Sequence, residues 1–95
     1  MEVFDIFVRR YETNEPLITL TVSPVHTVGK IKKMFAENCM LIKTYIRYLT
    51  IDSDFFYPEK QQIWYNGTPL KRENLFLRDY DVKAGSTIYI QDKGI

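Results

Sequence analysis

The side chains that most often carry catalysis or bind metals are scarce in this chain. Cys39 is the single cysteine and His26 the single histidine, and a thiol acts as a nucleophile only with a base beside it. Because His26 precedes the helix predicted below and Cys39 lies several turns along it, we expect a buried structural thiol. Asp52 and Asp54 could bind a cation, but two acidic residues in a turn are typical of a solvated cap. With no phosphate-binding glycine loop and no hydrolase motif present, the sequence predicts no enzyme, no metal site and no cofactor.

The charge of the chain is nearly balanced. Thirteen basic residues stand against twelve acidic ones, a formal net charge of +1, and that balance gives no general attraction to nucleic acid or to an anionic membrane. Lys30, Lys32 and Lys33, with Glu37, are expected to form the solvated face of a helix. No apolar run approaches the roughly 20 residues that span a bilayer. We expect one domain over residues 1–95, in the cytoplasm or nucleus, with protein partners.

Two stretches near the N-terminus alternate apolar and polar side chains, which is the pattern of half-buried strands. Their apolar positions are Phe4, Ile6 and Val8 in the first stretch, and Ile18, Leu20 and Val22 in the second. The polar residues 11–16 separate them and are typical of a turn. The sequence therefore predicts a β-hairpin that buries one face.

An amphipathic helix is predicted after this hairpin. Thr27 is placed to cap it, because a threonine hydroxyl accepts a hydrogen bond from the first helical amides. Val28, Ile31 and Phe35 then follow at helical spacing and form an apolar stripe. This stripe is expected to pack on the apolar face of the sheet.

The helix loses its polar face in its C-terminal part. From Met40 onward nearly every side is apolar or aromatic, and an overhanging helix would expose a large apolar patch. We expect the helix to extend or to break near Asn38 and Cys39. Residues 36–57 are then predicted to fold back as an insertion, with Phe55–Tyr57 packed against it. The insertion would serve as a lid, as a second contact site or as the interface of a weak dimer.

Shorter elements are predicted in the second half of the chain. Ile63 to Tyr65 form a brief strand, and Asn66-Gly67 supplies turn residues that tolerate a positive φ. Another strand begins at Leu70, one helical turn or 3₁₀ segment occupies residues 74–78, and a last strand covers Thr87 to Ile90. The order β-β-α-β-(β)-short helix-β indicates the α+β class.

The order and spacing of these elements resemble ubiquitin and the ubiquitin-like domains of the β-grasp fold. The matching positions of the N-terminal part are Ile6-Phe7-Val8, Ile18 to Val22, Pro24, Thr27-Val28 and Ile31-Lys32. Those of the C-terminal part are Pro58 to Ile63, Gly67, Leu70, Leu77-x-Asp79-Tyr80-x-Val82 and Ser86-Thr87-Ile88-x-Ile90. The resemblance implies a β-grasp roll, in which a mixed sheet of four to five strands carries one main helix.

The resemblance also implies a recognition surface on the open face of the sheet. Trp64 takes the position at which ubiquitin displays the isoleucine at the centre of its recognition patch, and Tyr89 and Gln91 take further positions of that patch. Arg9 is expected nearby, and Phe7 on the first strand is a weaker second site. Exposed tryptophan and tyrosine are typical anchors of interfaces. The alternative is that the insertion or a tail of this chain covers Trp64.

The C-terminal residues depart from the pattern of the conjugated modifiers. The segment Gln91–Ile95 lacks their arginine-rich tail and terminal Gly-Gly, and no Gly-Gly pair occurs anywhere in the sequence. A bulky residue beside the terminal carboxylate would block the narrow channels of conjugating enzymes. The resemblance therefore implies a domain of the non-conjugating type.

The function expected from the resemblance is non-catalytic protein binding in the ubiquitin–proteasome system, as the N-terminal module of a larger protein. Its partners would be proteasomal receptors, ATPase adaptors or ubiquitin-binding helices. One alternative is a β-grasp adaptor that binds a small GTPase or a similar domain through an edge strand, which would favour Arg9, Arg10 and the second strand. Another is a fixed subunit of one complex that docks through the insertion. A conjugated modifier is less favoured.

Overall fold

The computed structural model describes residues 2–45 and 57–93, with side chains described for residues 2–38 and 57–93. The strands are β1 (Phe4–Arg10), β2 (Pro16–Val22), β3 (Gln61–Tyr65), β4 (Thr68–Pro69) and β5 (Thr87–Asp92), and the helix is α1 (Val28–Tyr45). The remaining elements of the described residues are the 3₁₀ segments Pro58–Lys60 and Leu77–Tyr80.

The strands form one mixed sheet in the order β2-β1-β5-β3-β4. The two central strands β1 and β5 are parallel, whereas the β1–β2, β3–β5 and β3–β4 pairs are antiparallel. Within the part of the chain that the structure describes, the α-helix α1 accompanies this sheet. The predicted α+β class and mixed sheet are confirmed.

Three strand boundaries differ from the predicted ones. The β1 strand continues to Arg10 because Arg9 and Arg10 pair with Tyr89 and Ile90 of β5. The last strand likewise continues to Asp92, which pairs with Gln61 of β3. The short strand predicted from Leu70 instead covers Thr68–Pro69. Inter-strand pairing, which a single sequence does not display, decides these ends.

Alternation along the strands places one set of side chains against the helix. The buried apolar residues of the strands are Ile6, Val8, Leu20, Val22, Ile63, Ile88 and Ile90. Val28, Ile31 and Phe35 of α1 are fully buried in the same cluster. The predicted stripe is thus the part of the helix that packs on the sheet, and the opposite face of the strands is left for other contacts.

The start of the helix follows the prediction. The Lys30 amide donates to Thr27 Oγ1 at 3.1 Å, so the threonine caps α1. The helix continues through Asn38 and Cys39 to Tyr45, and therefore extends rather than breaks. The predicted folding back of the insertion, including Phe55 and Phe56, lies outside the described residues.

Lys32 is a correction to the predicted solvated face of the helix. It is only 2% exposed, and its Nζ donates to Glu73 Oε1 at 2.7 Å. This hydrogen bond, opposed by desolvation, lowers the pKa of the Glu73 carboxyl below its ordinary value. The Lys32 carbonyl also accepts from Gln61 Nε2 at 3.2 Å, so the same turn of α1 contacts the start of β3.

Candidate functional site

The outer face of the sheet brings three of the predicted site residues into one row. Tyr89 of β5 is the register partner of Arg9 on one side and of Trp64 on the other. Side chains of paired residues point to the same face. Arg9, Tyr89 and Trp64 are each half-buried. The structure therefore places them side by side, as the resemblance implied.

Gln91 orients the tryptophan. The Trp64 Nε1–H donates to Gln91 Oε1 at 2.8 Å, across the β3–β5 pair. The hydrogen bond satisfies the only polar group of the indole and restricts its rotation. Gln91 thus acts in this surface as a positioning residue for the indole.

Tyr11 is a member of this surface that the sequence reasoning missed. Its ring stacks on Trp64 with the ring centroids 4.8 Å apart and the planes inclined by 20°. Its amide donates to the Ile90 carbonyl at 2.9 Å, so the β1 chain continues to follow β5 beyond Arg10. Phe7, Arg9 and Tyr11 therefore continue one alternation on the outer face. Extending the period-two pattern by one step would have found it.

Among the described residues, Tyr11 covers part of the tryptophan. The expected alternatives were an open indole or one covered by the insertion or a tail. Tyr11, at the start of the turn after β1, covers part of Trp64 and remains 43% exposed itself, whereas covering by the insertion falls on side chains outside the described part of the chain. The surface is a composite of Tyr11, Trp64 and Tyr89. These three rings are called the aromatic face below.

Arg9 is fixed toward the hairpin turn. Its Nη1 donates to the Asn14 carbonyl at 2.7 Å, and Asn14 has a φ of 60°, a left-handed conformation that asparagine tolerates. The turn is closed as well by the Arg10 amide, which donates to the Glu15 carbonyl at 2.8 Å. Arg9 therefore supports the turn that carries Tyr11.

Phe7 lies apart from the aromatic face. It is 47% exposed, and its register partners are Thr19 and Thr87. It lines a cavity of about 360 Å³ along the β1–β2 pair, together with Arg9, Leu17 and other residues of β1 and β2. The aromatic face has its own cavity, so Phe7 and Trp64 belong to separate surfaces.

The cavity of the aromatic face has a volume of about 220 Å³ and is lined by Tyr11, Trp64, Gly67 and Tyr89. Gly67 has a φ of 78° and follows Asn66 with a φ of 52°, so both turn residues adopt the left-handed conformation that a two-residue hairpin requires. A Cβ at Gly67 would meet nothing within 4 Å. The positive φ of the tight turn, and not crowding by neighbouring atoms, is therefore what favours glycine at this position.

Groups suited to catalysis or metal binding do not converge in the described part of the chain. The His26 Nδ1 accepts a hydrogen bond from the Ser23 amide at 3.0 Å and so has a local structural role. No three His, Cys, Asp or Glu side chains within residues 2–38 and 57–93 lie close enough to hold a metal ion. The Cys39 side chain lies outside the described part.

The length and apolarity of α1 decide whether it could span a membrane. Among the described residues, no helix combines the length and apolarity needed to cross a bilayer.

Comparisons with known proteins locate the fold. No protein-family model matches the sequence. No curated protein matches it either. The structure is similar to the solution NMR structure of the ubiquitin-like domain of an Arabidopsis thaliana protein, with a TM-score of 0.69 and 17% sequence identity, over 100% of this chain and 82% of that chain. At this identity the likeness shows the fold, so the chain has the ubiquitin-like β-grasp fold.

Proposed function

We propose that this chain is a non-catalytic protein-interaction domain whose aromatic face is its main contact surface. The observation that carries the proposal is the Tyr11–Trp64 stack, with the indole held by Gln91 and flanked by Tyr89. Large aromatic side chains already held in one orientation lose little conformational entropy on binding. They are also the residues that most often dominate interface energies.

We propose further that the partners belong to the ubiquitin–proteasome system, in the cytoplasm or nucleus. Support comes from the fold and from the position of Trp64, where the resemblance implies the centre of a recognition patch. Receptor helices that cover such a patch with apolar side chains would here meet a larger, indole-centred surface. Proteasomal receptors, ATPase adaptors and ubiquitin-binding helices are therefore the classes to examine first.

Titration of the isotope-labelled chain with a panel of ubiquitin-receptor domains tests the proposal by NMR. The largest chemical-shift changes should occur at Trp64, Tyr89 and Gln91. The Trp64→Ala variant should bind more weakly by about 2 kcal/mol or more. Tyr57→Ala is the matched control, because Tyr57 is 52% exposed and lies outside the aromatic face. Shifts that centre elsewhere, or unchanged binding by Trp64→Ala, would contradict the proposal.

A second candidate function, binding of a small GTPase or similar domain through the β2 edge, is favoured by the backbone geometry. The Phe7 amide donates to Ser86 on the β5 side, and the Arg10 amide donates to Glu15 on the β2 side. Because successive residues of a strand direct their backbone groups to opposite sides, the β2 residues that face outward are Thr19 and Thr21.

The edge of β2 is free of charged side chains over its whole length, Pro16–Val22. The next outward-facing amide, that of Ser23, is already bonded to His26 Nδ1, so the open stretch ends there. Within the described residues, β2 has a neighbouring strand on one side only. An added strand of a partner would pair with the backbone groups of Thr19 and Thr21.

Thr19→Pro separates the two candidates. Proline at this position removes an outward N–H while leaving the β1–β2 ladder intact, and Thr19→Val keeps the N–H as the control. If a GTP-bound small GTPase is the partner through this edge, Thr19→Pro should abolish its binding whereas Trp64→Ala should not. Binding that survives Thr19→Pro rejects the edge-strand candidate.

A further inference from the structure

The cavity of the aromatic face is lined mainly by aromatic rings. Three of its four lining residues are Tyr11, Trp64 and Tyr89, and the fourth is Gly67, which contributes backbone. Aromatic rings present negative potential on their faces and attract cations there. The depression, about 220 Å³ in volume, has room for the end of one long side chain.

The polar groups of the cavity favour a cation over an anion. The indole N–H of Trp64 is occupied by Gln91 Oε1, so the tryptophan contributes its ring and no free donor. Arg9, the nearest basic residue in the row, directs Nη1 to the Asn14 carbonyl in the turn. The indole N–H is therefore not available to an anion, and the phenol oxygens of Tyr11 and Tyr89 can accept from a cation as well as donate.

A carboxylate lies at the end of the sheet where the turn that carries Tyr11 meets β5. Glu12 follows Tyr11 directly, and its Oε1 accepts a hydrogen bond from the Asp92 amide at 3.2 Å. That bond ties the turn after β1 to the end of β5, the strand that carries Tyr89 and Gln91. The negative charge of Glu12 is thus held at this end of the sheet, where it complements a cationic ligand.

Two other aromatic rings of this chain, those of Tyr57 and Phe76, are already in contact with basic side chains of the chain itself. Lys60 Nζ lies 5.6 Å from the centroid of the Tyr57 ring, and the Arg78 guanidinium carbon lies 5.0 Å from that of the Phe76 ring. Among the side chains of residues 2–38 and 57–93, no cation lies over the rings of the aromatic face. Within the described residues, the two cation–ring contacts therefore involve rings outside the aromatic face.

We propose that the cavity of the aromatic face takes the guanidinium group of an arginine in a partner protein. Arginine is favoured over lysine because its planar group stacks on rings and is more weakly hydrated. This inference rests on the proposed function, since it names the side chain by which a partner docks on the aromatic face. It adds a requirement for positive charge that an apolar recognition patch does not have.

The test uses three short peptides, acetyl-Gly-X-Gly-amide, in which X is arginine, citrulline or norleucine. Citrulline keeps the shape of arginine without its charge, and norleucine keeps only the aliphatic chain. The readouts are the NMR shift of the Trp64 indole N–H and the fluorescence of this single tryptophan. We expect the arginine peptide to bind at least about threefold more tightly than the citrulline peptide, the size of a partly exposed cation–π contact.

Variants show whether the preference arises at this cavity. Tyr89→Leu and Glu12→Gln should each reduce the ratio of arginine to citrulline affinity, whereas Tyr57→Leu should leave it unchanged. Glu12→Gln retains the oxygen that accepts from Asp92, so it removes charge with little effect on the turn. An undisturbed amide spectrum establishes that each variant is folded.

Several results would overturn the inference. They are equal affinity for arginine and citrulline, tighter binding of norleucine, no shift with any peptide at the solubility limit, and a preference that survives both variants. None of them bears on the proposed function, which fails separately if Trp64→Ala leaves receptor binding unchanged. A partner that binds through the aromatic face without an arginine preference would leave the function standing and this inference rejected.

Discussion

The two faces of the sheet differ in the kind of side chain they carry and in how far those side chains are buried. Ile63 is 1% exposed and Ile90 0% exposed on the face that meets α1. Their sequence neighbours Trp64, Tyr89 and Gln91 are half-buried on the other face. The inner face is filled by this chain alone, whereas the outer face holds large rings that this chain covers only in part. Neighbouring positions of one strand are thus expected to separate stability from binding.

The largest effect is expected on the inner face. Ile63→Ala removes a buried side chain from the core and should lower the free energy of unfolding by about 2–5 kcal/mol. Trp64→Ala, one residue further along β3, loses a partly exposed stack and one hydrogen bond, about 1–2 kcal/mol in total. Urea denaturation of both variants measures the difference. If Trp64→Ala destabilises as much as Ile63→Ala, the tryptophan is a core residue and the distinction between the faces fails.

A smaller loss of stability is expected when the buried Lys32 loses the charge of its partner Glu73. Glu73→Gln keeps the shape of the partner of Lys32 but leaves the buried ammonium without its counter-charge. Because the Glu73 side chain is 55% exposed, solvent screening reduces the cost to about 1 kcal/mol. The measurement is again urea denaturation, with Glu59→Gln as an exposed control on the 3₁₀ segment before β3.

The pH dependence of this pair has a definite sign. The Lys32 hydrogen bond lowers the pKa of Glu73 in the folded state, so the unfolded state binds a proton more readily. The stabilisation is therefore fully present above the ordinary pKa of a glutamate and is lost as the pH falls through the lowered value. The stability difference between the wild type and Glu73→Gln should shrink on acidification. A difference that grows toward low pH would contradict the assignment.

Tyr11 is expected to have a still smaller effect on stability and a clear effect on Trp64. Tyr11→Leu removes a stack whose outer ring is 43% exposed, and should cost about 0.5 kcal/mol. The fluorescence of Trp64 should move to longer wavelength and become more accessible to a neutral quencher, because Tyr11 covers part of the indole. Tyr57→Leu is the control. Unchanged quenching would mean that another part of the chain protects the indole.

Much of the fold followed from the sequence because its signals are local. Alternation identified the strands, and the Thr27 cap and the Ile31–Phe35 stripe located the helix. Tyr11 was missed because its orientation depends on how far β1 continues to pair with β5. Lys32 was misplaced because its partner Glu73 lies 41 residues away in the sequence. Local patterns identify elements, but the fate of a single polar or aromatic side chain depends on partners distant in the chain.

The same limit applies to the aromatic face. The resemblance located Trp64, Tyr89, Gln91 and Arg9, because equivalent register positions share a face in any chain of this fold. It did not distinguish contact residues from supporting ones. In the structure Gln91 holds the indole and Arg9 holds the turn. Those roles arise from side-chain hydrogen bonds that depend on the particular residues of this chain.

The last prediction is that the C-terminus of the 95-residue chain forms no thioester with activating enzymes. No Gly-Gly pair occurs in the sequence, and its last two residues are Gly94-Ile95. Conjugation needs a terminal carboxylate in a narrow enzyme channel, and the isoleucine side chain adds bulk at that point. Incubating the 95-residue chain with activating enzymes, ATP and lysate should therefore yield no thioester that a reductant cleaves.

The Ile95→Gly variant is the matched control for this prediction, because a single substitution gives the 95-residue chain a terminal Gly-Gly. If the variant forms a thioester and the unsubstituted 95-residue chain does not, the isoleucine is the barrier to activation. If neither reacts, the aromatic face also differs too much from ubiquitin for activating enzymes, since Trp64 is far larger than the isoleucine at that position of ubiquitin. A thioester on the unsubstituted 95-residue chain would contradict the expectation of a non-conjugating domain and would favour a role of the C-terminus.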